Sequence, residues 1–145
     1  MKLFLDNNLP PSLATALNAI IAPLQHQAVH LSEKFPRNIP DLEWISALGR
    51  EGGWVILSND RFREYAAERK ALADSGLVVF WLSGKQWGKL KILEKNLSIL
   101  EWTRAILEHA EPASVESKQT GKGSIWAMRH IPNRRKYEFE REKLT

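Results

Sequence analysis

Hydrophobic and polar positions follow two alternating patterns along the chain. Short runs that are almost wholly apolar predict strands, because a strand buried on both faces of a parallel sheet carries few polar side chains. The clearest of these runs cover residues 2–5, 54–58 and 77–82, and weaker strand patterns cover residues 27–31 and 124–129. Between them, apolar residues recur every three or four positions, as in helices that bury one face. The helices predicted in this way cover residues 10–22, 40–50, 61–74 and 85–110.

Strands that alternate with helices predict an α/β fold, with a mainly parallel sheet of four or five strands flanked by helices. A chain of 145 residues suits one domain. We expect residues 1–113 to form this domain with its long helix, and residues 114–145 to form a loop, the last strand and a basic tail. The turn after the first strand, Asn7-Asn8-Leu9-Pro10, has no glycine. It therefore argues against a dinucleotide-binding loop or a P-loop.

The composition predicts a cytoplasmic protein that is not attached to a membrane. The chain has no cysteine, so disulfides and thiolate metal sites are excluded and a reducing compartment is favoured. The apolar stretch that begins at Met1 is interrupted by Asp6 and is too short for a signal peptide. No apolar run approaches the roughly 18 residues needed to cross a bilayer.

Positive charge is concentrated at the end of the chain. Residues 118–145 hold eight Lys or Arg and three Glu, for a net charge of +5, whereas residues 1–117 carry a net charge of −1. A basic tail on a nearly neutral body indicates a polyanion or an acidic protein as partner. The alternative is a solvated terminal segment without a partner, since charge runs are common at chain ends.

Two acids stand where apolar runs end. Asp6 closes the first predicted strand, and Asp60 follows the third. Ligands of open α/β sheets bind at the carboxyl ends of the strands, and a buried carboxylate is costly without a partner. The two acids therefore indicate a cation site. Capping of the next helix is the alternative role for each, although Pro10 and Pro11 delay the helix that follows Asp6.

A third acid, Asp41, stands at the start of the second predicted helix. Alone it would merely complement the helix dipole. Helices that lead back to a parallel strand begin at the same sheet edge, so Asp41 can converge with the two strand-end acids. Three carboxylates raise one another's pKa unless a cation is present, and Mg²⁺ prefers such oxygen ligands.

Several neighbouring residues are candidates to support this ion. Asn7, Ser58 and Asn59 carry oxygen atoms next to the acids, and Glu43 is a weaker candidate ligand on the second helix. Zinc is disfavoured, because the four histidines show no close ligand spacing on a predicted helix.

Three segments resemble the PIN-like domains of the VapC type. They are Leu3 to Pro11, Pro40 to Ile45 and Val55 to Phe62, and the resemblance covers roughly the first 85 residues. It implies a three-layer sandwich with the activity of a Mg²⁺- or Mn²⁺-dependent ribonuclease, often the toxin of a toxin–antitoxin pair. It also implies frequent dimerisation.

The resemblance carries over to individual residues. Asp6, Asp41 and Asp60 match the family's metal-binding acids. Such nucleases usually gather four acids, and the residue after the first is often Glu. Here it is Asn7, and no obvious fourth acid follows Asp60. Glu43 is the candidate for the fourth acid.

The first hypothesis is therefore an RNA endonuclease that uses Mg²⁺ or Mn²⁺ to hydrolyse phosphodiester bonds. The three acids would be its catalytic and metal-binding residues. Basic side chains would hold the RNA backbone. Those predicted to do so are Arg61, Arg63, Arg129, Arg134, Arg135 and Lys136.

Two other classes remain open. A non-catalytic PIN-like protein would bind a partner, such as an antitoxin or a nucleic acid, and the missing fourth acid favours it. A receiver domain would need a second acid beside Asp6 and a lysine at the end of a late strand, which Asn7 and Lys85 match poorly. Tryptophans exposed beside the apolar stripe over residues 90–106 are a candidate homodimer face.

Overall fold

A computed structural model of the chain describes residues 1–59, 62, 65–83, 90–131 and 136–144. Within these residues six strands form one sheet, in the order β2-β1-β3-β4-β5-β6. The strands are β1 (Lys2–Leu5), β2 (Gln27–His30), β3 (Trp54–Ser58), β4 (Val78–Ser83), β5 (Ser124–Ile131) and β6 (Lys136–Glu142). Neighbours among β1 to β5 are parallel, and β6 pairs antiparallel with β5. The predicted α/β fold with a mainly parallel sheet is confirmed, with one strand more than expected.

Helices cover both faces of the sheet and complete three layers. The described helices are α1 (Pro11–Ile21), α2 (Leu31–Lys34), α3 (Asp41–Glu51), α4 (Ala66–Ser75), α5 (Ile92–Glu101) and α6 (Thr103–Thr120), and a 3-10 turn covers Ala22–Leu24. Leu3 and Leu5 face a core built with α1, α5 and α6, whereas Phe4 faces a core built with α3 and α4. None of the described helices is both long enough and apolar enough to cross a bilayer.

The predicted long helix is divided and continues further than expected. Helices α5 and α6 meet at Trp102, which is 1% exposed. The predicted helix ends at residue 110, just before Pro112, because proline lacks a backbone donor and clashes with the preceding turn. Instead Pro112 lies inside α6 with its ring exposed. Ala110 and Ala113, on either side of it, are buried in the core and hold the helix past the proline.

The carboxyl-terminal segment is also more regular than predicted. The expected loop begins as the last turns of α6, and the expected basic tail contains the strand β6. Phe139 packs against the core, while its neighbours Glu138 and Glu140 are exposed. This alternation is typical of an antiparallel strand with one covered face, and the charge of the segment concealed it. The division of the chain at residue 113 remains a prediction.

Helix α5 buries only part of the apolar stripe. Leu93 and Leu97 belong to the stripe over residues 90–106, yet they are 68% and 51% exposed. Ile99 is the buried residue of this helix. Trp102 and Ile106, which widen the stripe, are buried. A homodimer face beside the stripe remains a prediction.

An aromatic cluster joins α6 to the strands at one side of the sheet. The His109 ring stacks on Phe139, with ring centroids 4.4 Å apart, and meets Trp126 at 4.6 Å. Phe80 lies 5.8 Å from the same ring. Burial lowers the pKa of His109 below its ordinary value of 6.5, because the charged imidazolium loses hydration there.

We expect His109 to make the folded state less stable at acidic pH. The unfolded chain protonates this imidazole more readily than the folded protein does, so the stabilisation is complete above pH 6.5 and is lost as the pH falls below that value. His109→Phe should remove this part of the pH dependence. Urea unfolding of both proteins at about pH 7.5 and about pH 5.5, on either side of the ordinary histidine pKa, measures the difference. An unchanged pH dependence in the variant would contradict the assignment.

Candidate functional site

The carboxyl ends of β1 and β3 lie side by side within the sheet. After β1 the chain continues to α1 on one face and then to β2, whereas after β3 it continues to α4 on the other face and then to β4. Where connections diverge in this way, an open α/β sheet leaves a crevice in which ligands bind. The sheet edge predicted from the strand-end acids is therefore a position that the topology itself favours.

Asp6 lies at this point and is only 4% exposed. Its Oδ1 accepts the backbone N–H of Asn7 at 2.6 Å. Its Oδ2 accepts the Ser58 hydroxyl at 3.0 Å and the Asn8 amide at 3.5 Å. The N-cap of α1 is Pro10, so Asp6 does not cap that helix. The carboxylate is instead fixed by donors from the ends of two strands.

Asn8 joins the two strand ends through one side chain. Its amide nitrogen donates to Ser58 Oγ at 3.3 Å as well as to Asp6, and its Oδ1 accepts the backbone N–H of Asn59 at 2.9 Å. Ser58 is fully buried in the same network. Sequence reasoning did not select Asn8, since the only available signal was its place two residues after a strand-end acid. We refer to Asp6, Asn8, Ser58 and Asn59 as the strand-end network.

Asp41 begins α3, and its described hydrogen bond lies within that helix. Its Oδ1 accepts the indole N–H of Trp44 at 2.9 Å. Trp44 is fully buried and packs 5.2 Å from the ring of Phe4 in β1. The hydrogen bond therefore fixes the orientation of the Asp41 carboxylate relative to the buried Trp44 ring. A role for Asp41 as an ion ligand remains a prediction.

A second contact ties the segment before α3 to the strand ends. The side-chain amide of Asn7 donates to the backbone carbonyl of Arg37 at 3.2 Å. Asn7 was predicted as a supporting residue, and its side chain is exposed rather than buried with Asp6. Glu43 is also exposed, and it lines a separate groove together with Phe35 and Arg50.

Of the predicted basic residues, Arg129 and Lys136 lie in the described part of the chain. Arg129 on β5 forms an exposed ion pair with Glu140 on β6 at 2.8 Å, and such pairs contribute only about 0–1 kcal/mol. Lys136 begins β6. The predicted residues outside the described part of the chain are Asp60, Arg61, Arg63, Arg134 and Arg135.

A cleft of about 370 Å³ opens beside the strand-end network. Asn7, Asn8 and Asn59 line it on the network side. Its volume lies near the lower end of the range for ligand pockets, which is about 300–1,000 Å³. The cleft therefore has room for a small ligand or for one unit of a polymer.

Buried His30 fixes one wall of the cleft. Its Nδ1 accepts the backbone N–H of Ser32 at 3.1 Å, and its Nε2 lies 2.7 Å from the carbonyl of Leu9. Because Nδ1 is an acceptor and a carbonyl cannot donate, the proton is assigned to Nε2. The imidazole thus links the end of β2 to the turn that follows Asp6, as a structural residue.

Within residues 1–59, 62, 65–83, 90–131 and 136–144, no group of three or more His, Cys, Asp or Glu side chains converges on a metal position. The second strand-end acid, Asp60, lies outside these residues. The described part of the site is one buried carboxylate, surrounded by a hydroxyl and side-chain amides. This donor set is rich in oxygen atoms and has no sulfur, which suits a hard cation.

The family model described as PIN like domain matches residues 1–84 of the chain. This range begins before β1 and ends just after β4, so it includes every residue of the strand-end network. No curated protein matches the chain, and neither does any solved structure.

Proposed function

Because this chain belongs to the PIN-like domain family, we propose that it is a Mg²⁺- or Mn²⁺-dependent endoribonuclease of the VapC type. We propose further that it is the toxin of a toxin–antitoxin pair and that it acts on RNA in the cytoplasm. The observation that carries the nuclease proposal is the buried Asp6, whose carboxylate is fixed at the divergence of the β1 and β3 connections.

The residues present suit a divalent cation with oxygen ligands. We propose that Asp6, Asp41 and Asp60 would hold it. Asp6 supplies a carboxylate whose two oxygens are already oriented by the strand-end network. A carboxylate oxygen has more than one lone-pair direction, so it can accept a hydrogen bond and also act as an ion ligand. When bound, such an ion polarises a phosphoryl oxygen and activates water for in-line attack.

The surrounding side chains would supply positioning. Ser58 donates to Asp6 Oδ2 and so fixes the orientation of the carboxylate at the strand ends. Asn8 holds β1 and the residue after β3 at a fixed separation through its bonds to Ser58 and Asn59. Trp44 donates its indole N–H to Asp41 and fixes the orientation of that carboxylate. A site built on strand ends and on a packed helix start is rigid, as catalytic geometry requires.

The experiment that tests this proposal is an RNA cleavage assay with purified protein. We expect internal cleavage of single-stranded RNA with Mg²⁺ or Mn²⁺, and none with EDTA. Metal binding without cleavage of several unrelated RNAs would instead favour a non-catalytic binding protein. Light scattering of the same sample determines whether the protein is a homodimer, and co-purification with the product of an adjacent gene tests for an antitoxin.

Ser58→Ala should weaken activity without removing it. The hydroxyl that orients Asp6 is lost, and losses of such outer contacts at metal sites typically cost about 10- to 100-fold in affinity or activity. The measurement is the Mn²⁺ concentration that gives half-maximal cleavage, which we expect to rise. Ser124→Ala is the matched control, because Ser124 is also a buried strand serine but lies at the start of β5, at the opposite sheet edge. An equal effect of the two substitutions would contradict the proposed role.

A further inference from the structure

The cleft beside the strand-end network has two cations at its rim. Arg37 comes from the segment between α2 and α3, and Lys95 comes from α5. The residues that flank Arg37 pack on one face of the sheet, and those that flank α5 pack on the other. The two cations therefore approach the cleft from opposite faces of the sheet.

Much of the cleft's exposed lining is apolar. Leu9 and Leu82 are each 5% exposed and form part of its lining. Pro10 and Ile92 also line it, and Ile92 is 73% exposed even though it is a large aliphatic side chain. An apolar surface bounded by positive charge and by the amides of asparagines matches the parts of a nucleotide: a flat base, polar base edges and a phosphate.

We propose that this cleft holds one unpaired nucleotide of the RNA substrate, with its phosphate between Arg37 and Lys95 and its base against Leu9 and Ile92. The proposal rests on the proposed function, since it places the strand to be cut beside Asp6. Asn59 and Asn96, which also line the cleft, would hydrogen-bond to the edge of the base.

The charge of the two cations supports an anionic ligand. Neither Arg37 nor Lys95 forms an ion pair within the described part of the chain. The bond from Asn7 to the Arg37 carbonyl fixes the backbone of that segment against the strand ends. The guanidinium is therefore attached to a positioned backbone, and guanidinium groups bind phosphate oxygens in a bidentate manner.

The apolar lining of the cleft determines the kind of strand that fits. A base can enter an apolar cleft only if it is not paired, and single-stranded RNA is recognised through such exposed bases. A duplex would present only phosphates to Arg37 and Lys95. The protein should therefore bind a single strand more tightly than a duplex of the same sequence.

The test measures binding separately from cleavage. A labelled single-stranded RNA oligonucleotide is titrated in EDTA and followed by fluorescence anisotropy, with the Asp6→Asn variant as the starting protein. Arg37→Ala and Lys95→Ala should each weaken binding roughly tenfold, the loss typical of a charged hydrogen bond. Each substitution removes one phosphate contact, so the slope of the logarithm of affinity against the logarithm of salt concentration should become shallower by about 0.7. Lys118→Ala, which removes the same charge beside Gly53 at the opposite sheet edge, should have no effect.

The apolar wall is tested with two neighbouring residues on α5. Ile92→Ser should weaken binding roughly fivefold through loss of apolar contact. Leu93→Ser is the matched control, because Leu93 is 68% exposed on the same helix but does not line the cleft. Because both side chains are exposed, neither substitution should change the unfolding temperature appreciably.

Three results would overturn the cleft proposal: full binding by Arg37→Ala and Lys95→Ala, equal losses at Ile92 and Leu93, or equal affinity for single strand and duplex. These results are independent of catalysis. A protein that binds RNA as expected but never cleaves it would support the nucleotide-binding proposal and refute the nuclease proposal. Metal-dependent cleavage with unaltered binding in the cleft variants would support the nuclease proposal and refute the nucleotide-binding proposal.

Discussion

Asp6→Asn should reduce metal-dependent RNA cleavage by more than about 100-fold, which exceeds the 10- to 100-fold range typical of residues that merely support a metal ligand. Asparagine has nearly the same shape as aspartate but lacks the charge that holds a divalent cation. Its Oδ1 can still accept the N–H of Asn7, and Ser58 can still hydrogen-bond to the other atom of the side chain. The measurement is the initial rate of cleavage of a defined RNA in Mn²⁺, with cation affinity measured by titration of the same variant.

The control is Asp74→Asn, which makes the same chemical change elsewhere in the fold. Asp74 is exposed near the end of α4, at the amino edge of the sheet where β5 begins. We expect this variant to cleave RNA like the unaltered protein. Both variants should unfold within about 4 °C of it, because the buried apolar contacts are unchanged. Full activity in Asp6→Asn, or an equal loss in Asp74→Asn, would contradict the proposed role of Asp6.

The position of Asp6 could be predicted because its signal is local. A carboxylate that ends an apolar run identifies both the strand and the sheet edge, and the structure places Asp6 at the end of β1. Asn8, Arg37 and Lys95 could not be found in this way. Their relation to Asp6 depends on how β3, the segment before α3 and helix α5 come together in space, which no local spacing encodes.

At the carboxyl end of the chain, too, local sequence patterns do not predict the elements that depend on tertiary contacts. The first four strands are short apolar runs and were placed within a residue or two of their observed bounds. Strand β6 carries charge at most positions, and only its pairing with β5 and the packing of Phe139 define it. Likewise, Pro112 stops an isolated helix but not α6, which the core supports on both sides of it. Tertiary contacts, rather than intrinsic propensity, determine these elements.

The backbone of Gly123 shows how closely the end of the chain is joined to the family domain. Gly123 donates its N–H to the carbonyl of Ala73 in α4 at 2.9 Å, and Ser124 donates to the carbonyl of Leu77 just before β4 at 2.9 Å. A Cβ atom on Gly123 would overlap the carbonyl oxygen of Leu72 and lie 2.9 Å from that of Leu77. Both obstacles are backbone atoms, so neither can turn away as a side chain would.

Gly123→Ala should therefore be the most destabilising single-methyl change in this part of the fold. We expect a loss of about 3 kcal/mol in the free energy of unfolding, at the upper end of typical overpacking. The corresponding fall in unfolding temperature is roughly 6–12 °C for a chain of this size. Gly121→Asn is the control, since a Cβ at Gly121 meets nothing within 4 Å and asparagine tolerates its φ of 69°. The free energy of unfolding of that variant should remain within about 0.5 kcal/mol of the value for the unaltered protein. A Gly123→Ala protein that unfolds like the Gly121→Asn control would show that β5 can separate from the end of α4 without cost, and that the last two strands are only loosely attached to the domain.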